Sequence, residues 1–203
     1  MTKILQLDSS AKTENSATRT LTAQVVTELQ SKYPDAEVLY RDLTKNPLPH
    51  ISPEYLGGIF GNPALASHET VALSDKLIAE LEAADILVIG APMYNFSIPS
   101  QLKAWFDFVL RAGRTFKYID GAPVGLTKGK KAILAVATGG VYSEGPMVEY
   151  DHVVPFLKQM LGFIGITDVS VVRAEKQAFG PEAALAGIEA AKEDIARQLS
   201  NAA

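Results

Sequence analysis

The sequence predicts a doubly wound α/β fold, a five-stranded parallel sheet in the order 2-1-3-4-5 with helices on both faces. Three observations carry this. Short, mostly apolar runs recur along the chain, as in strands buried on both sides of a parallel sheet: Lys3–Asp8, Ile86–Ile89 and Lys131–Ala137. Segments with helical apolar spacing lie between such runs, which calls for helices covering the sheet. The 203 residues contain no repeat, charge block or linker, so one domain over residues 1–203 is expected. Right-handed crossovers then leave few topologies, of which 2-1-3-4-5 is a common one.

Taken in order, Lys3–Asp8 is the first strand. A hydroxyl-rich loop, Ser9 to Thr18, leads into a helix with Leu21, Val25, Val26 and Leu29 on one stripe, ending near Pro34. Val38–Asp42 is the second strand. Leu43 to Ser67 is an excursion rich in Pro and Gly, with one short helical turn over Glu54–Phe60. Glu69–Ala83 has helical spacing, Ile86–Ile89 is strand three, and Gly90–Pro99 is its outgoing loop. An amphipathic helix covers Leu102–Leu110, and a turn-rich segment follows Thr115–Tyr118 as far as Lys128. Strand four is Lys131–Ala137, followed by a loop through Pro146 and an apolar helix at Val153–Phe163. Thr167–Arg173 is strand five, and Pro181–Leu199 a final helix with proline suited to its first turn. The terminal Ser200–Ala203 is expected to fray.

Composition excludes several classes of function. With no cysteine, thiol catalysis, disulfides and zinc–thiolate sites are ruled out. A net charge of −4 argues against a nucleic-acid partner. No apolar run approaches the roughly 20 residues that span a bilayer, so no membrane partner is expected. A cytoplasmic location follows by default. Asp107, Glu144, His50 and His152 have no partner in the sequence that makes an acid–base pair, so no triad, metal site or carboxylate pair is assigned. Gly125-Leu-Thr-Lys-Gly-Lys130-Lys131 is one residue short of a P-loop and precedes a strand.

The chemistry concentrates in loops at the carboxyl ends of strands one, three and four. In the predicted topology the strand order reverses between strands one and three, and ligands bind over that point. In the first loop, Ser10, Ser16, Ala17 and Thr18 stand at a helix start, where free N–H groups and a partial positive charge suit a phosphate. A helix cap is the alternative reading of the same hydroxyls. In the third loop, Pro92, Met93, Tyr94, Asn95 and Phe96 combine stiff backbone, aromatic faces and an amide that both donates and accepts. The fourth loop adds Thr138, Gly139 and Gly140; paired glycines let backbone approach a ligand edge closely. Together these point to a phosphate-bearing aromatic ligand.

Ala91-Pro-Met-Tyr-Asn-Phe96, Ser97-Ile-Pro-Ser-Gln-Leu-Lys103 with Phe106-Asp107, Arg111–Phe116, Gly129–Ile133, Leu161-Gly-Phe-Ile-Gly-Ile-Thr-Asp168 and Gly180-Pro181 resemble the bacterial FMN-dependent NADH-azoreductases, also described as NAD(P)H:quinone oxidoreductases. The resemblance runs through nearly the whole chain. It implies a flavodoxin-like fold, FMN as cofactor, NADH or NADPH as electron donor, quinone or azo substrates, and a homodimer with sites at its interface. By the same resemblance Ser10 and Ser16-Ala17-Thr18 hold the FMN phosphate, while Pro92 and Met93–Phe96 lie along the ribityl chain and isoalloxazine. Gly139 and Gly140, with Thr138, meet the pyrimidine side. Tyr118 and a partner's copy of Phe163 wall the space where substrates stack. Many members carry Ser-Arg where this chain has Ala137-Thr138, and a polar residue where it has Ala17. The implied chemistry is alternating hydride transfer through the flavin, with no protein nucleophile. A non-enzymatic flavodoxin-type electron carrier is the alternative that shares the fold.

Overall fold

A computed structural model of the chain describes residues 1–200; the expected fraying of residues 201–203 lies outside them. The chain runs β1 (Lys3–Asp8), α1 (Ala17–Lys32), β2 (Glu37–Asp42), α2 (Pro53–Ile59), α3 (Glu69–Ala83), β3 (Ile86–Pro92) and α4 (Ser100–Val109). It continues through β4 (Phe116–Ile119), β5 (Ala122–Gly125), β6 (Lys131–Ala137), α5 (Val154–Ile164), β7 (Asp168–Ala174) and α6 (Pro181–Ser200). The main sheet is parallel throughout, in the order β2-β1-β3-β6-β7. With the β4–β5 pair set aside, this is the predicted 2-1-3-4-5 order.

Alternation along the strands divides the core in two. Leu5, Leu7, Leu87, Ile89, Leu134 and Val136 face α3, α4 and α5, where Leu77, Leu81, Trp105, Phe106 and Leu161 are fully buried. Ile4, Val88, Ile133, Ala135 and Val172 face the other way, onto Leu21, Val25 and Leu29 of α1 and Ala191 and Ile195 of α6. The near-continuous apolar strands of the sequence are thus explained by burial on both sides.

Three segments differ from the sequence expectation. β3 runs on to Pro92, which pairs with Ala137, so Gly90, Ala91 and Pro92 are strand rather than loop. Gly90 is required there, because a Cβ would stand 2.9 Å from Asp8 Oδ1 and 3.0 Å from Thr22 Cγ2. In the excursion the expected short helix is present as α2, and what differs is an added 3-10 turn at Pro63–Leu65 and an anchor in Tyr55, whose buried ring packs 4.6 Å from that of Phe108. The turn-rich segment after Thr115 is an antiparallel hairpin of β4 and β5. Its turn is Asp120-Gly121, both at positive φ (49° and 79°), the pairing that two-residue hairpins favour. Pro123 is tolerated because a two-stranded ribbon leaves each strand a free edge.

Candidate active site

The parallel sheet aims the loops after β1, β3 and β6 toward one end of the molecule. The first two meet at the order reversal, where Ser9 Oγ donates to the Gly90 carbonyl at 2.6 Å and fastens the end of β1 to β3. A cleft of about 580 Å³ opens here, a size suited to a small organic ligand. Ser10, Lys12 and Asn15–Thr18 line one side, Pro92–Tyr94 and Ala137–Gly139 the middle. Gln177, Pro181, Ala184, Leu185 and Ile188 form the far wall. A smaller apolar hollow of about 100 Å³ lies at the amino ends of the strands, floored by Val25, Leu29, Ile133 and Ile195, far from these loops.

The first loop is a hydroxyl nest over a helix start. Ser10, Ser16 and Thr18 are all buried. Ser16 is the N-cap of α1, accepting from Arg19 N at 3.5 Å, and its Oγ lies 3.3 Å from Thr18 Oγ1. The first turn of α1 carries no acidic residue, so its positive end is left for an external anion. The Ser16 cap therefore leaves the helix start open to an anion, so capping and anion binding are compatible in the same residues.

Behind the loop sits an ionic network. Arg19 forks onto Asp42 at 2.7 and 3.0 Å and lies 3.7 Å from Asp8. Burial acts to raise the Asp42 carboxyl, but Arg19 and the N–H groups of Lys45 and Thr44 outweigh it and hold it well below the usual carboxylate range. Asp8 goes the other way: burial pushes it up, against hydrogen bonds from Thr22 and Tyr40. Burial, then the charges of Asp8 and Asp42, push the Tyr40 phenol up to about 12.

The third loop is a tight turn. Tyr94 and Ser97 exchange both backbone hydrogen bonds, 2.9 and 3.1 Å, and the two residues between them, Asn95 and Phe96, both have positive φ, 49° and 70°. This is the geometry of a type I′ turn, with phenylalanine where glycine is favoured. A bulky residue in that region is strained, and such strain gathers at functional sites. It is held by neighbours: the Phe96 ring lies 5.6 Å from Tyr150 and 6.4 Å from Tyr142, and the Phe96 carbonyl accepts from His152 N at 3.1 Å. Across the cleft, Ala11 N donates to Tyr94 Oη at 3.1 Å, joining first loop to third.

Residues 2–199 match the family model of the flavodoxin-like fold. The chain is 49% identical over 198 residues to an FMN-dependent NADH:quinone oxidoreductase of Hyphomonas neptunium, covering 97% of this chain and 95% of the relative. A second enzyme of that name, from Ralstonia nicotianae, is 49% identical over 196 residues, with 93% of each chain covered. The chain belongs to this flavodoxin-like oxidoreductase family. Among solved structures, an azoreductase from Bacillus anthracis str. Sterne superposes with a TM-score of 0.88 at 32% identity, over 98% of this chain and 99% of that one.

The family member's predicted site residues divide into three groups. Ser10, Ser16, Ala17, Thr18, Pro92, Met93, Tyr94, Thr138 and Gly139 line the cleft together. Asn95 and Phe96 project from the exposed turn beside it, and Gly140 lies one residue past its lining. Thr138 is buried, with Oγ1 donating to the Gly140 carbonyl at 2.9 Å, so it shapes the fourth loop. Tyr118 and Phe163 stand elsewhere, on the hairpin and α5, joined through Phe116, whose ring lies 5.9 Å from Tyr118 and 4.6 Å from Phe163. Neither lines the cleft of its own chain.

Sequence reasoning missed the far wall. The loop after β7 is laced to the fourth loop by Gln177 N to Thr138 O (3.0 Å) and Ala178 N to Gly139 O (3.0 Å). Gln177 also donates to Ala184 O at 3.1 Å, and a Cβ on Gly187 would come within 2.3 Å of Glu175 O, so α6 presses directly on that loop. The spacing Pro181, Ala184, Leu185, Ile188 was the available signal, one helical stripe in which Leu185 is left exposed. His50 and His152 are exposed, Asp107 pairs with Lys103 one turn back on α4, and no cluster among the described residues suits a metal ion. No helix of the described residues is long and apolar enough to cross a membrane.

Proposed function

We propose that this chain is an FMN-dependent oxidoreductase that takes electrons from NADH or NADPH and reduces quinones and azo compounds. The observation that carries the reading is the cleft at the order reversal, with buried hydroxyls and an acid-free helix start at one end and aromatic and glycine-lined loops beside them. That donor set fits FMN: the amide and hydroxyl groups of Ser10, Ser16, Ala17 and Thr18 suit its phosphate, and the Pro92–Phe96 segment suits a flat ring with polar edges. The open backbone at Gly139, where an added Cβ would meet only Ala178 at 3.4 Å, gives the ring edge room. Held there by these residues, FMN would supply two-electron hydride chemistry between the nicotinamide donor and the second substrate.

The protein's own part is binding, orientation and exclusion of water. Asn95 has no hydrogen bond to the rest of the chain among the described residues, so its amide is free for a ligand. Tyr118 and Phe163 wall one flavin together in a homodimer in which one chain lends its Phe163 to the other. Exposed Tyr118, Ile119 and Leu126 around the hairpin support such an interface. The two substrates then take turns in one space, and steady-state double-reciprocal plots should be parallel.

The test is direct. Full-length protein mixed with FMN should retain it through gel filtration, show an oxidised-flavin spectrum and oxidise NADH rapidly with p-benzoquinone. Retention of FMN without NADH turnover would favour an electron carrier instead; no retention would defeat the cofactor assignment.

A further inference from the structure

This inference rests on the reading of the first loop as the seat of the FMN phosphate. Arg19 offers five N–H groups, and every one has an acceptor. Nη1 and Nη2 fork onto Asp42, Nη1 also reaches Tyr40 Oη at 3.1 Å, Nη2 reaches Ser10 O at 3.0 Å, and Nε reaches Lys12 O at 2.9 Å. Asp42 Oδ1 also accepts from Thr44 N and Lys45 N, each at 3.0 Å, and Thr44 Oγ1 donates to Ser10 O at 2.9 Å. Arg19 does not line the cleft, whereas Ser10 and Lys12, whose carbonyls it holds, do.

A trans peptide points its C=O and the following N–H in opposite directions. Drawing the Ser10 carbonyl toward Arg19 therefore turns Ala11 N–H the other way, and it donates to Tyr94 Oη at the cleft. Carbonyl oxygens left facing an anion would repel it; Arg19 draws two of them back from the loop that borders the cleft. The planar fork matters, since lysine has the charge but cannot grip Asp42 and two carbonyls together.

We propose that Arg19 is a positioning residue: its fork on Asp42 and its hold on the Ser10 and Lys12 carbonyls set the first loop in the conformation that receives the cofactor phosphate, without touching that phosphate. The arrangement is local to the phosphate end, so it affects FMN and leaves riboflavin, which lacks the phosphate, nearly indifferent.

The experiment is fluorescence titration of flavin-free, full-length protein with FMN and with riboflavin, for wild type, Arg19→Lys, Arg19→Gln and Thr44→Val. With two charge-assisted bonds lost, both Arg19 variants should weaken FMN binding about 10-fold or more while riboflavin affinity stays within about twofold. Thr44→Val leaves the ion pair intact and loosens only the Ser10 carbonyl. It should shift FMN in the same direction by a smaller factor, which keeps the test decisive if the Arg19 variants fold poorly. Wild-type preference for FMN that persists in Arg19→Lys, or equal losses for both flavins, would overturn the positioning role. Equal affinity of wild type for the two flavins would instead overturn the phosphate reading on which it rests.

Discussion

Replacing Gly125 by alanine tests how the hairpin positions the aromatic cluster. Gly125 ends β5 against the carboxyl end of α5, backbone to backbone. A Cβ there would stand 2.2 Å from Gly165 N and from Ile164 C, and 2.5 Å from Gly165 Cα. Neither neighbour yields easily: Gly165 sits at φ 103° as the left-handed cap of α5, and the Ile164 carbonyl accepts from Thr127 N (2.9 Å) and Thr127 Oγ1 (2.6 Å). Reaching ordinary van der Waals separation needs the hairpin to move by roughly 1 Å. Overpacking of this kind costs about 1–3 kcal/mol, and the Thr127 bonds, at about 1 kcal/mol each, are strained with it. We expect a loss of about 2–4 kcal/mol in urea unfolding, and a melting temperature lower by about 2–4 °C for each kcal/mol. The displacement also carries Phe116 away from Phe163, now 4.6 Å apart. The variant should therefore keep FMN affinity while KM for the quinone rises. A loss below about 1 kcal/mol with unchanged KM would refute the reasoning.

Three further outcomes are expected. Asp42 is held below the usual carboxylate range, so its stabilisation is complete above its unfolded value, about pH 4, and is lost as pH falls toward its folded value. The melting-temperature gap between wild type and Asp42→Asn should narrow on acidification through that window; a gap constant with pH would contradict it. Asn95→Gly keeps the positive φ of the turn, so stability should hold within about 1 kcal/mol while FMN affinity falls about 10-fold; calorimetry and flavin titration separate the two. Lys12 is the one cation among the residues lining the cleft, and it is exposed. Lys12→Gln should weaken FMN binding by about 2–5-fold at low ionic strength, the difference fading near 1 M salt; a difference indifferent to salt would argue against a charge effect.

The sequence alone determined the five buried strands and the helices between them, because burial on both faces dictates those patterns residue by residue. The order 2-1-3-4-5, and with it the placing of the first and third loops at the reversal, was one common topology among the few that right-handed crossovers allow, and the fold selects it. The sequence also singled out Ser10, Ser16, Thr18 and Pro92–Tyr94, which border one cleft. Tertiary structure alone decided what depends on contacts distant in sequence. Tyr55 reads as part of a Pro- and Gly-rich excursion, yet it is buried, because α2 folds back onto Phe108. The Asp120-Gly121 hairpin had a local signal, but its docking on α5 turns on the missing side chains of Gly125 and Gly165 meeting across forty residues. Gln177 and the stripe on α6 enter the site only through hydrogen bonds between the loops after β6 and β7. Arg19 is a helix residue with no distinguishing spacing; its role appears only when β2 brings Asp42 alongside and supplies the partner for its fork. Periodicity records which face of an element is buried, whereas the partners a side chain meets across the sheet are settled only when the strands are laid side by side.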